Sequence, residues 1–424
     1  MSAFTYKNNQ LHCEGVALSE MAQEFGTPLY VYSAAAILES FQRYQRALKE
    51  RSHLICYAVK ANSNLAVLNL LAKQGAGFDI VSEGELRRVL KAGGDPSKVI
   101  FSGVGKTTRE IRFALEKNIR CFNVESKMEL ERLNNIAASM NTVAPVSIRV
   151  NPDVDAKTHP YISTGLKENK FGIDIKEAPE VYTLAHQLSH IKVHGIDCHI
   201  GSQLIDTQPF IDALDRIIAL QETLSQVGIE IKSLDLGGGV GVVYDDEDEP
   251  DLEGYIDQVK AKVGENIELM FEPGRFISAN AGVMLTEVQY TKQSGDKHFA
   301  IVDAAMNDNL RPSLYSAYQQ VKPLKQPAAN SDDNYQWDIV GPVCESGDFL
   351  AKDRRLSIQP GDRLALMSSG AYGFVMSSNY NTRGRAAEVL VSGEEYQVVR
   401  EREELDSLFE GESIWQHAHP SLAD

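Results

Sequence analysis

The sequence predicts a TIM-like (β/α)8 barrel followed by a mostly antiparallel β domain, and two patterns carry this prediction. From about residue 54 to residue 274, short apolar runs alternate with amphipathic helical segments. The chain has eight such repeats, and their span of about 220 residues is near the usual size of this barrel. After Phe276 the helical periodicity gives way to β-type segments joined by Gly, Pro, Asn and Asp turns.

Each predicted barrel strand is a short apolar run. The eight runs are residues 54–60, 77–81, 99–103, 120–124, 146–151, 193–200, 233–238 and 267–273. Three of the helices between them begin with a capping-box pattern: Ser82 with Glu85, Thr107 with Glu110, and Ser126 with Glu129. An open, doubly wound sheet shows the same alternation and stays open as an alternative, although the strand count favours the barrel.

The change of pattern also sets the predicted domain boundaries. Residues 1–30 form an N-terminal segment that contributes to the β domain, since FTYKNNQLHCEGV predicts a hairpin. The barrel takes residues 31–279, and the C-terminal β domain takes residues 280–424.

Composition and charge restrict the classes of partner. Among the 424 residues, 59 Asp and Glu exceed 42 Lys and Arg, which gives a net charge of −17. This balance disfavours nucleic acid and anionic membrane surfaces as partners. No segment has the pattern of a signal peptide or a membrane span, and five widely spaced cysteines are typical of reduced thiols. We therefore expect a cytoplasmic protein.

Two glycine-rich segments resemble known motifs without fulfilling them. SGVGKTTRE (102–110) resembles a phosphate-binding P-loop, but Ile100 stands where that motif needs its first glycine. GGGVG (237–241) is followed by Val242 where a dinucleotide fingerprint needs its last glycine. His194 and His199 have no partner ligands at zinc spacing, so no metal site is predicted.

Unusual polar residues collect at the ends of several predicted strands. Lys60 ends the first strand, HIGSQ (199–203) the sixth, GGG (237–239) the seventh and EPGR (272–275) the eighth. In such a barrel the C-terminal strand ends meet at one mouth, where active sites lie. Each feature alone has a bland explanation, such as a solvated lysine or a tight turn. Four of them on one rim favour a site.

The combination suggests pyridoxal phosphate. Lys60 lies at the inner end of a buried strand, where desolvation makes an amine a better nucleophile for a Schiff base. His199 would stack on the ring, and Glu272 would pair with the pyridine nitrogen and keep the ring a strong electron sink. Exposed backbone N–H groups of the glycine loop, with Arg275, would hold the phosphate.

With these residues in place, the chain resembles the diaminopimelate decarboxylases, which are fold-type-III, alanine-racemase-like enzymes. The resemblance covers nearly the whole chain, and its motifs follow the order of the family. They are YAVKAN (57–62), GFDIVSEGEL (77–86), HPYISTGLKENKFGI (159–173), HIGSQ, EPGR, MNDNLRPSLY (306–315), CESGD (344–348) and GAYG (370–373). Asn309 departs from the family pattern, which has an apolar residue there.

The resemblance implies decarboxylation of meso-2,6-diaminopimelate to L-lysine, the last step of lysine biosynthesis. The catalytic residues that it implies are Lys60, His199, Glu272 and Cys344, the last as proton donor. The implied cofactor contacts are Lys60, His199, Ser202, Gly238, Gly239, Glu272, Pro273, Gly274, Arg275 and Tyr372. The implied substrate contacts are Arg275, Arg311, Tyr315, Glu345 and Tyr372. It further implies a flap over residues 152–176, and a homodimer in which the CESGD loop enters the partner's barrel.

The residue types agree with this substrate and leave alternatives. Arg311 and Tyr315 can donate to a distal carboxylate, and Glu345 can accept from a distal ammonium. Ornithine or arginine as substrate would leave these buried donors unpaired, and the enzyme would therefore discriminate against both compounds. The alternatives are a decarboxylase of another basic amino acid or of carboxynorspermidine, a racemase, and a cofactor-binding regulator without catalysis. A regulator has no need of a proton donor such as Cys344.

Overall fold

The structure is a computed structural model that describes residues 3–154, 170–327 and 335–415. The chain begins with a small antiparallel sheet of β1 (Phe4–Lys7), β2 (Gln10–Cys13) and β3 (Val16–Ala17). Phe4 pairs with Cys13 and Lys7 with Gln10, which confirms the predicted hairpin. Helix α1 (Leu18–Phe25), strand β4 (Leu29–Ser33) and helix α2 (Ala34–Ala47) follow.

Parallel strands close into a barrel after α2. The strands of the closed ring are β5 (His53–Ala58), β6 (Gly77–Ile80), β7 (Val99–Phe101), β8 (Cys121–Val124), β9 (Ala144–Asn151), β11 (Ile191–Asp197), β12 (Ser233–Asp235) and β13 (Glu268–Phe271). The short strand β10 (Ile173–Asp174) lies beside the ring. Strand β13 pairs with β5, and β8 pairs with β9, so the ring has no edge. The barrel is confirmed, and the open sheet is excluded.

Amphipathic helices cover the barrel because their apolar faces pack on the strands. They are α3 (Leu65–Lys73), α4 (Glu83–Lys91), α5 (Thr108–Glu116), α6 (Lys127–Ser139), α7 (Ala178–Gln187), α8 (Gln208–Gln226), α9 (Leu252–Lys262) and the short α10 (Arg275–Ser278). Helix α8, for example, buries Phe210, Leu214 and Ile217. Among the described helices, none is long and apolar enough to cross a membrane.

The capping-box prediction is correct at one helix start and wrong in detail at two. Thr107 and Glu110 exchange both hydrogen bonds at the start of α5. Before α4 and α6 the serine caps the helix, but the glutamate accepts from the backbone N–H one residue before the cap. The glutamates therefore fix the chain that enters the helix rather than the cap residue itself.

A second, mostly antiparallel sheet follows the barrel. Its later elements are β14 (Gly282–Ser294), β15 (Lys297–Val302), helix α11 (Arg311–Tyr315), β16 (Val321–Pro323), β17 (Tyr335–Val340), β18 (Phe349–Leu356), β19 (Arg363–Leu366), β20 (Ala387–Ser392) and β21 (Glu395–Arg400). Strand β4 lies inside this sheet between β14 and β20, so the chain before the barrel supplies one of its strands. The fold class is confirmed, whereas the boundaries at residues 30 and 279 stay predictions.

The segment that resembles a P-loop has a structural role. The Lys106 side chain is 1% exposed and pairs with Glu129 at 2.7 Å. Its ammonium also donates to the carbonyl oxygens of Gly103 and Asn123. Three acceptors satisfy the three donors of the ammonium group. Lys106 therefore ties the loop after β7 to the strand β8 and to helix α6.

We expect the Lys106→Ala substitution to lower the free energy of unfolding by about 3–5 kcal/mol, because it leaves Glu129 almost buried without its partner. Urea unfolding followed by circular dichroism measures the loss. The matched control is Lys91→Ala, which removes an exposed lysine from α4 and should cost no more than about 0.5 kcal/mol. Equal losses in the two variants would contradict a structural role for Lys106.

Candidate active site

A cavity of about 410 Å³ opens where the barrel strands end, and it brings together many of the predicted site residues. Its lining comes both from loops that follow barrel strands and from the second sheet domain. The lining residues are Lys60, Phe171, His199, Ser202, Gln203, Tyr244, Glu247, Arg275, Arg311, Tyr315, Ala317, Tyr318, Tyr372 and Met376. The cavity therefore joins predicted cofactor residues to predicted substrate residues.

Lys60 lies in a single helical turn directly after β5 and pairs with Asp79 at the end of β6. The Lys60 Nζ is 2.6 Å from Asp79 Oδ2, and Asp79 is fully buried. Burial by itself lowers the pKa of Lys60, but the carboxylates of Asp79 and Glu272 raise it by more. The net pKa of Lys60 is raised, because the two carboxylates outweigh the effect of desolvation on this amine.

His199 follows β11 and is held as a neutral ring. Burial, with added repulsion from Arg149 and Lys60, holds its pKa well below the ordinary value. The backbone N–H of Gly238 donates to His199 Nδ1 at 3.2 Å. Since Nδ1 is the acceptor, the ring proton lies on Nε2. The same bond shows that the N–H of Gly238 is committed to His199, although the sequence suggested that it would face a phosphate.

The loop after β12 has glycine at positions 238 and 239 because neighbouring backbone atoms approach these two residues closely. A Cβ on Gly238 would lie 2.3 Å from the carbonyl oxygen of Glu272, and one on Gly239 would lie 2.4 Å from that of Gly201. Gly239 also has a φ of +107°, which L side chains rarely adopt. These contacts bring the loops after β11, β12 and β13 together at the rim.

The EPGR turn lies against the lysine strand. The carbonyl oxygen of Pro273 accepts from the N–H of Ala58 at 3.2 Å. A Cβ on Gly274 would lie 3.0 Å from the side chains of Ala58 and Ala61. The N–H of Tyr372 donates to the carbonyl oxygen of Ala61 at 2.8 Å, which fixes the GAYG loop at the same place.

Two buried arginines face the cavity with hydrogen-bonding capacity to spare. Arg275 donates to Tyr244 Oη at 2.7 Å and to Ser202 Oγ at 3.2 Å, and it lies 4.8 Å from the Tyr372 ring centroid. Among the described residues, Arg275 Nε and one terminal nitrogen of Arg311 have no hydrogen-bond partner. Buried unpaired guanidinium groups are costly, so the geometry favours anionic ligands in this cavity.

Glu272 follows β13, the eighth strand of the barrel. It is 6% exposed, and Asn123 Nδ2 donates to its Oε1 at 3.3 Å. Burial raises its pKa well above the ordinary value, and the carboxyl groups of Asp235, Asp79 and Asp197 add to the rise. A cationic ring nitrogen beside Glu272 would offset this cost.

Cys344 and Glu345 do not lie in this cavity. Both are exposed in the loop between β17 and β18. The N–H of Cys344 donates to Asn381 Oδ1 at 3.1 Å, and Asp348 accepts from the N–H groups of Met306 and Val343. The loop is therefore shaped by its own chain while its first two side chains face outward. Most of the predicted flap, residues 155–169, lies outside the described residues.

Sequence reasoning missed several residues of the site. Tyr244, which accepts a hydrogen bond from Arg275, lies in the long loop after the seventh strand. Its position in that loop was the feature of the sequence that could have marked it as a site residue. Glu85 was assigned to a cap, yet it lies in a second cavity beside Lys60, and burial raises its pKa to about 7. Asn309, which departs from the family pattern, is fully buried, and its Nδ2 donates to Gln319 Oε1 at 2.7 Å. Its Oδ1 has no hydrogen-bond partner among the described residues.

Known proteins are similar to this chain in sequence and in fold. The family model for the pyridoxal binding domain of pyridoxal-dependent decarboxylases matches residues 34–279. The chain is 59% identical to diaminopimelate decarboxylase of Pseudomonas aeruginosa over 415 residues, which covers 98% of this chain and 99% of that protein. The diaminopimelate decarboxylase of Vibrio cholerae is 57% identical over 417 residues, with 98% and 99% covered.

The chain belongs to the diaminopimelate decarboxylase family. A solved structure of this family, from Helicobacter pylori and complexed with L-lysine, has a TM-score of 0.88 at 44% identity, and covers 92% of this chain and 98% of its own. The protein is a pyridoxal phosphate-dependent decarboxylase. Its cavity fits the cofactor, because it offers an amine at Lys60, unpaired guanidinium donors and the hydroxyl group of Ser202.

We expect borohydride reduction of the cofactor-loaded protein to fix pyridoxal phosphate on Lys60, because this amine lies on the cavity at the strand end. Peptide mass spectrometry locates the label. The Lys60→Ala variant should lose it, while Lys91→Ala should keep it. A label on another lysine would refute the assignment.

The Asp79→Asn substitution should lower the pKa of Lys60, since Asp79 is the first of the carboxylates that raise it. A lower pKa leaves more neutral amine at pH 8, by about tenfold for each pKa unit. Covalent attachment of pyridoxal phosphate to the apoprotein should therefore become faster below pH 9 or so. Stopped-flow absorbance against pH measures this, with Asp95→Asn on an exposed turn as control. Slower attachment in Asp79→Asn would contradict the expected fall in the pKa of Lys60.

Proposed function

We propose that the protein catalyses the decarboxylation of meso-2,6-diaminopimelate to L-lysine and carbon dioxide, the last step of lysine biosynthesis. The observation that carries this proposal is a single cavity that joins Lys60 to two buried arginines with unpaired donors. Lys60 serves a cofactor, and the two arginines serve a substrate with an additional carboxylate. Support comes from full-length relatives that are named diaminopimelate decarboxylase.

The residues of the chain have separate tasks in this reaction. The cofactor, when bound, withdraws the electron pair that remains on the substrate's α-carbon as carbon dioxide leaves. Lys60 would bind the cofactor covalently, and the neutral ring of His199 would pack against it. Glu272 would hold a proton at the ring nitrogen. Ser202 and Arg275 would bind the phosphate, and Gly239 would allow a close backbone approach there.

Arg311 and Tyr315 recognise the distal carboxylate of the substrate. They lie at the two ends of α11, and both line the cavity. Arg311 is 6% exposed, and burial lowers its pKa. A carboxylate partner would offset this desolvation, whereas ornithine would leave the guanidinium unpaired. Tyr372, which packs against Arg275, would contact both cofactor and substrate.

Substrate assays separate this function from its alternatives. Release of carbon dioxide is measured with meso-diaminopimelate, its LL isomer, ornithine, arginine, lysine and carboxynorspermidine. We expect the highest kcat/KM with meso-diaminopimelate. A preference for another substrate of the panel would identify a decarboxylase of that compound. No release from any of them, with intact cofactor binding, would favour a regulator.

We further propose a cytoplasmic homodimer with shared active sites. All five cysteines are free thiols, which is typical of a reducing compartment. After carbon dioxide leaves, the α-carbon needs a proton, and Cys344 is the proposed donor. Cys344 and Glu345 are exposed and outside their own chain's cavity. A two-fold axis would carry this loop into the partner's cavity at both sites, with Glu345 accepting from the distal ammonium.

Arg311→Leu should reduce kcat/KM for diaminopimelate by the equivalent of about 2–5 kcal/mol, because the distal carboxylate loses a buried charged partner. Steady-state kinetics measures the change, and cofactor absorbance should stay as in the wild type. Arg112→Leu, which removes an exposed arginine from α5, should leave kcat/KM unaltered. An unaltered value for Arg311→Leu would mean that other residues recognise the distal carboxylate.

Mixing the Lys60→Ala and Cys344→Ala proteins should restore activity if the site is shared. Each variant alone should be nearly inactive. Random exchange makes about half of the dimers mixed, and each mixed dimer has one intact site, so roughly a quarter of the sites should recover.

Mass spectrometry of isotopically labelled subunits verifies the exchange. If mixed dimers form and no activity returns, Cys344 acts within its own chain or has no part in the reaction.

A further inference from the structure

Two guanidinium groups lie close together at the rim of the active-site cavity. Arg275 is 8% exposed and Arg311 is 6% exposed, and both line the cavity. Like charges that are withdrawn from water repel each other, and each of them loses hydration. Burial lowers the pKa of Arg311, and the charge of Arg275 lowers it further. A neighbouring group is therefore needed to hold the two cations in place before an anion binds.

Tyr244 contacts both guanidinium groups through different parts of its side chain. Its hydroxyl oxygen accepts a hydrogen bond from one terminal nitrogen of Arg275 at 2.7 Å. The guanidinium carbon of Arg311 lies 4.7 Å from the centroid of the Tyr244 ring, which is within the range of cation–π attraction. Arg275 is farther from that centroid, at 5.9 Å. The hydroxyl group therefore serves Arg275, and the ring serves Arg311.

The backbone is fixed on both sides of Tyr244. Before it, the side chain of Gln203 accepts from the N–H of Val242 at 3.1 Å and donates to the carbonyl oxygen of the same residue at 2.6 Å. After it, Oε2 of Glu247 accepts from the N–H groups of Tyr244 and Asp245, both at 2.8 Å. Tyr244 is also buried. A side chain that is held in this way orients its neighbours without a further loss of conformational entropy when a ligand binds.

We propose that Tyr244 is a positioning residue that holds both guanidinium groups for their ligands: its hydroxyl group orients Arg275 for the cofactor's phosphate, and its ring orients Arg311 for the substrate's distal carboxylate. This inference rests on the proposed roles of the two arginines. Among the described residues, Arg275 Nε and one terminal nitrogen of Arg311 have no hydrogen-bond partner, so both groups keep donors for an anion. One residue thus acts on cofactor binding and on substrate selection through separate contacts.

Binding of pyridoxal phosphate and of pyridoxal to the apoprotein tests the role of the hydroxyl group without turnover. Tyr244→Phe keeps the ring and removes the acceptor for Arg275. The dissociation constant for pyridoxal phosphate should rise about three- to tenfold. The dissociation constant for pyridoxal, which has no phosphate, should stay within about twofold of the wild type. A general disturbance of the cavity would weaken both compounds alike and would overturn the proposal, as would unaltered binding of both.

Steady-state kinetics with diaminopimelate, at saturating pyridoxal phosphate, tests the role of the ring. Tyr244→Leu removes the ring from Arg311, whereas Tyr244→Phe retains it. We expect KM to be roughly tenfold higher in Tyr244→Leu than in Tyr244→Phe. The two kcat values should agree within about threefold, because Arg311 recognises a carboxylate that does not react. Equal KM values in the two variants would show that the ring does not position Arg311.

Tyr396→Phe and Tyr396→Leu are the matched controls. Tyr396 lies on β21, and its hydroxyl group donates to Glu24 at 2.7 Å, outside the cavity. Neither change should alter cofactor binding or KM.

Two provisions keep the test decisive. Should Tyr244→Leu fail to fold, Tyr244→Met takes its place, because methionine is flexible and apolar and has no ring. If the wild type binds pyridoxal phosphate but releases no carbon dioxide from diaminopimelate, the proposed function fails. The comparison of pyridoxal phosphate with pyridoxal still decides the role of the Tyr244 hydroxyl group in that case.

Discussion

The contact between β13 and β5 is the constraint on which the site depends. It closes the barrel, and in doing so it sets the EPGR turn beside the strand that ends at Lys60. The bond from Ala58 to Pro273 and the packing of Gly274 on Ala58 and Ala61 leave no room for a side chain at this joint. Because Tyr372 bonds to the same Ala61, the second domain is positioned by the same joint. A change there would displace residues of both domains.

Electrostatics in the barrel follow from the same closure. Parallel strands end together, so carboxyl groups on neighbouring strands become close neighbours, and their negative field holds Lys60 as a cation. The chain as a whole is acidic, with a net charge of −17, yet Arg275 and Arg311 face the cavity with donors unpaired among the described residues. An anionic ligand is therefore attracted to the rim, while the acids below it favour a cationic group. Pyridoxal phosphate has both.

The sequence predicted the features that depend on local pattern. Eight strands were predicted because short apolar runs alternate with amphipathic helical segments, and the rim residues were predicted because the strand ends of such a barrel meet. Strand β18 (FLAKDRRL) was missed, since its polar half lacks the apolar alternation of a strand. The raised pKa of Lys60 was missed as well. It depends on Asp79 and Glu272, which are distant in sequence and become neighbours only when the barrel closes. Asp197 and Asp235 lie inside two predicted strands, and the sequence did not predict that they are neighbours, because register between strands is not visible in a sequence.

Strand β4 pairs with β14 after the barrel and with β20 close to the end of the chain. The second sheet can therefore be completed only after almost the whole polypeptide has left the ribosome. Such long-range pairing is slow to form and leaves strand edges exposed in the meantime. A chain that stops before residue 387 lacks β20, and the β4 edge that β20 covers stays open to proteolysis or aggregation. Such a chain has every strand of the barrel and still lacks one of the two strands that flank β4.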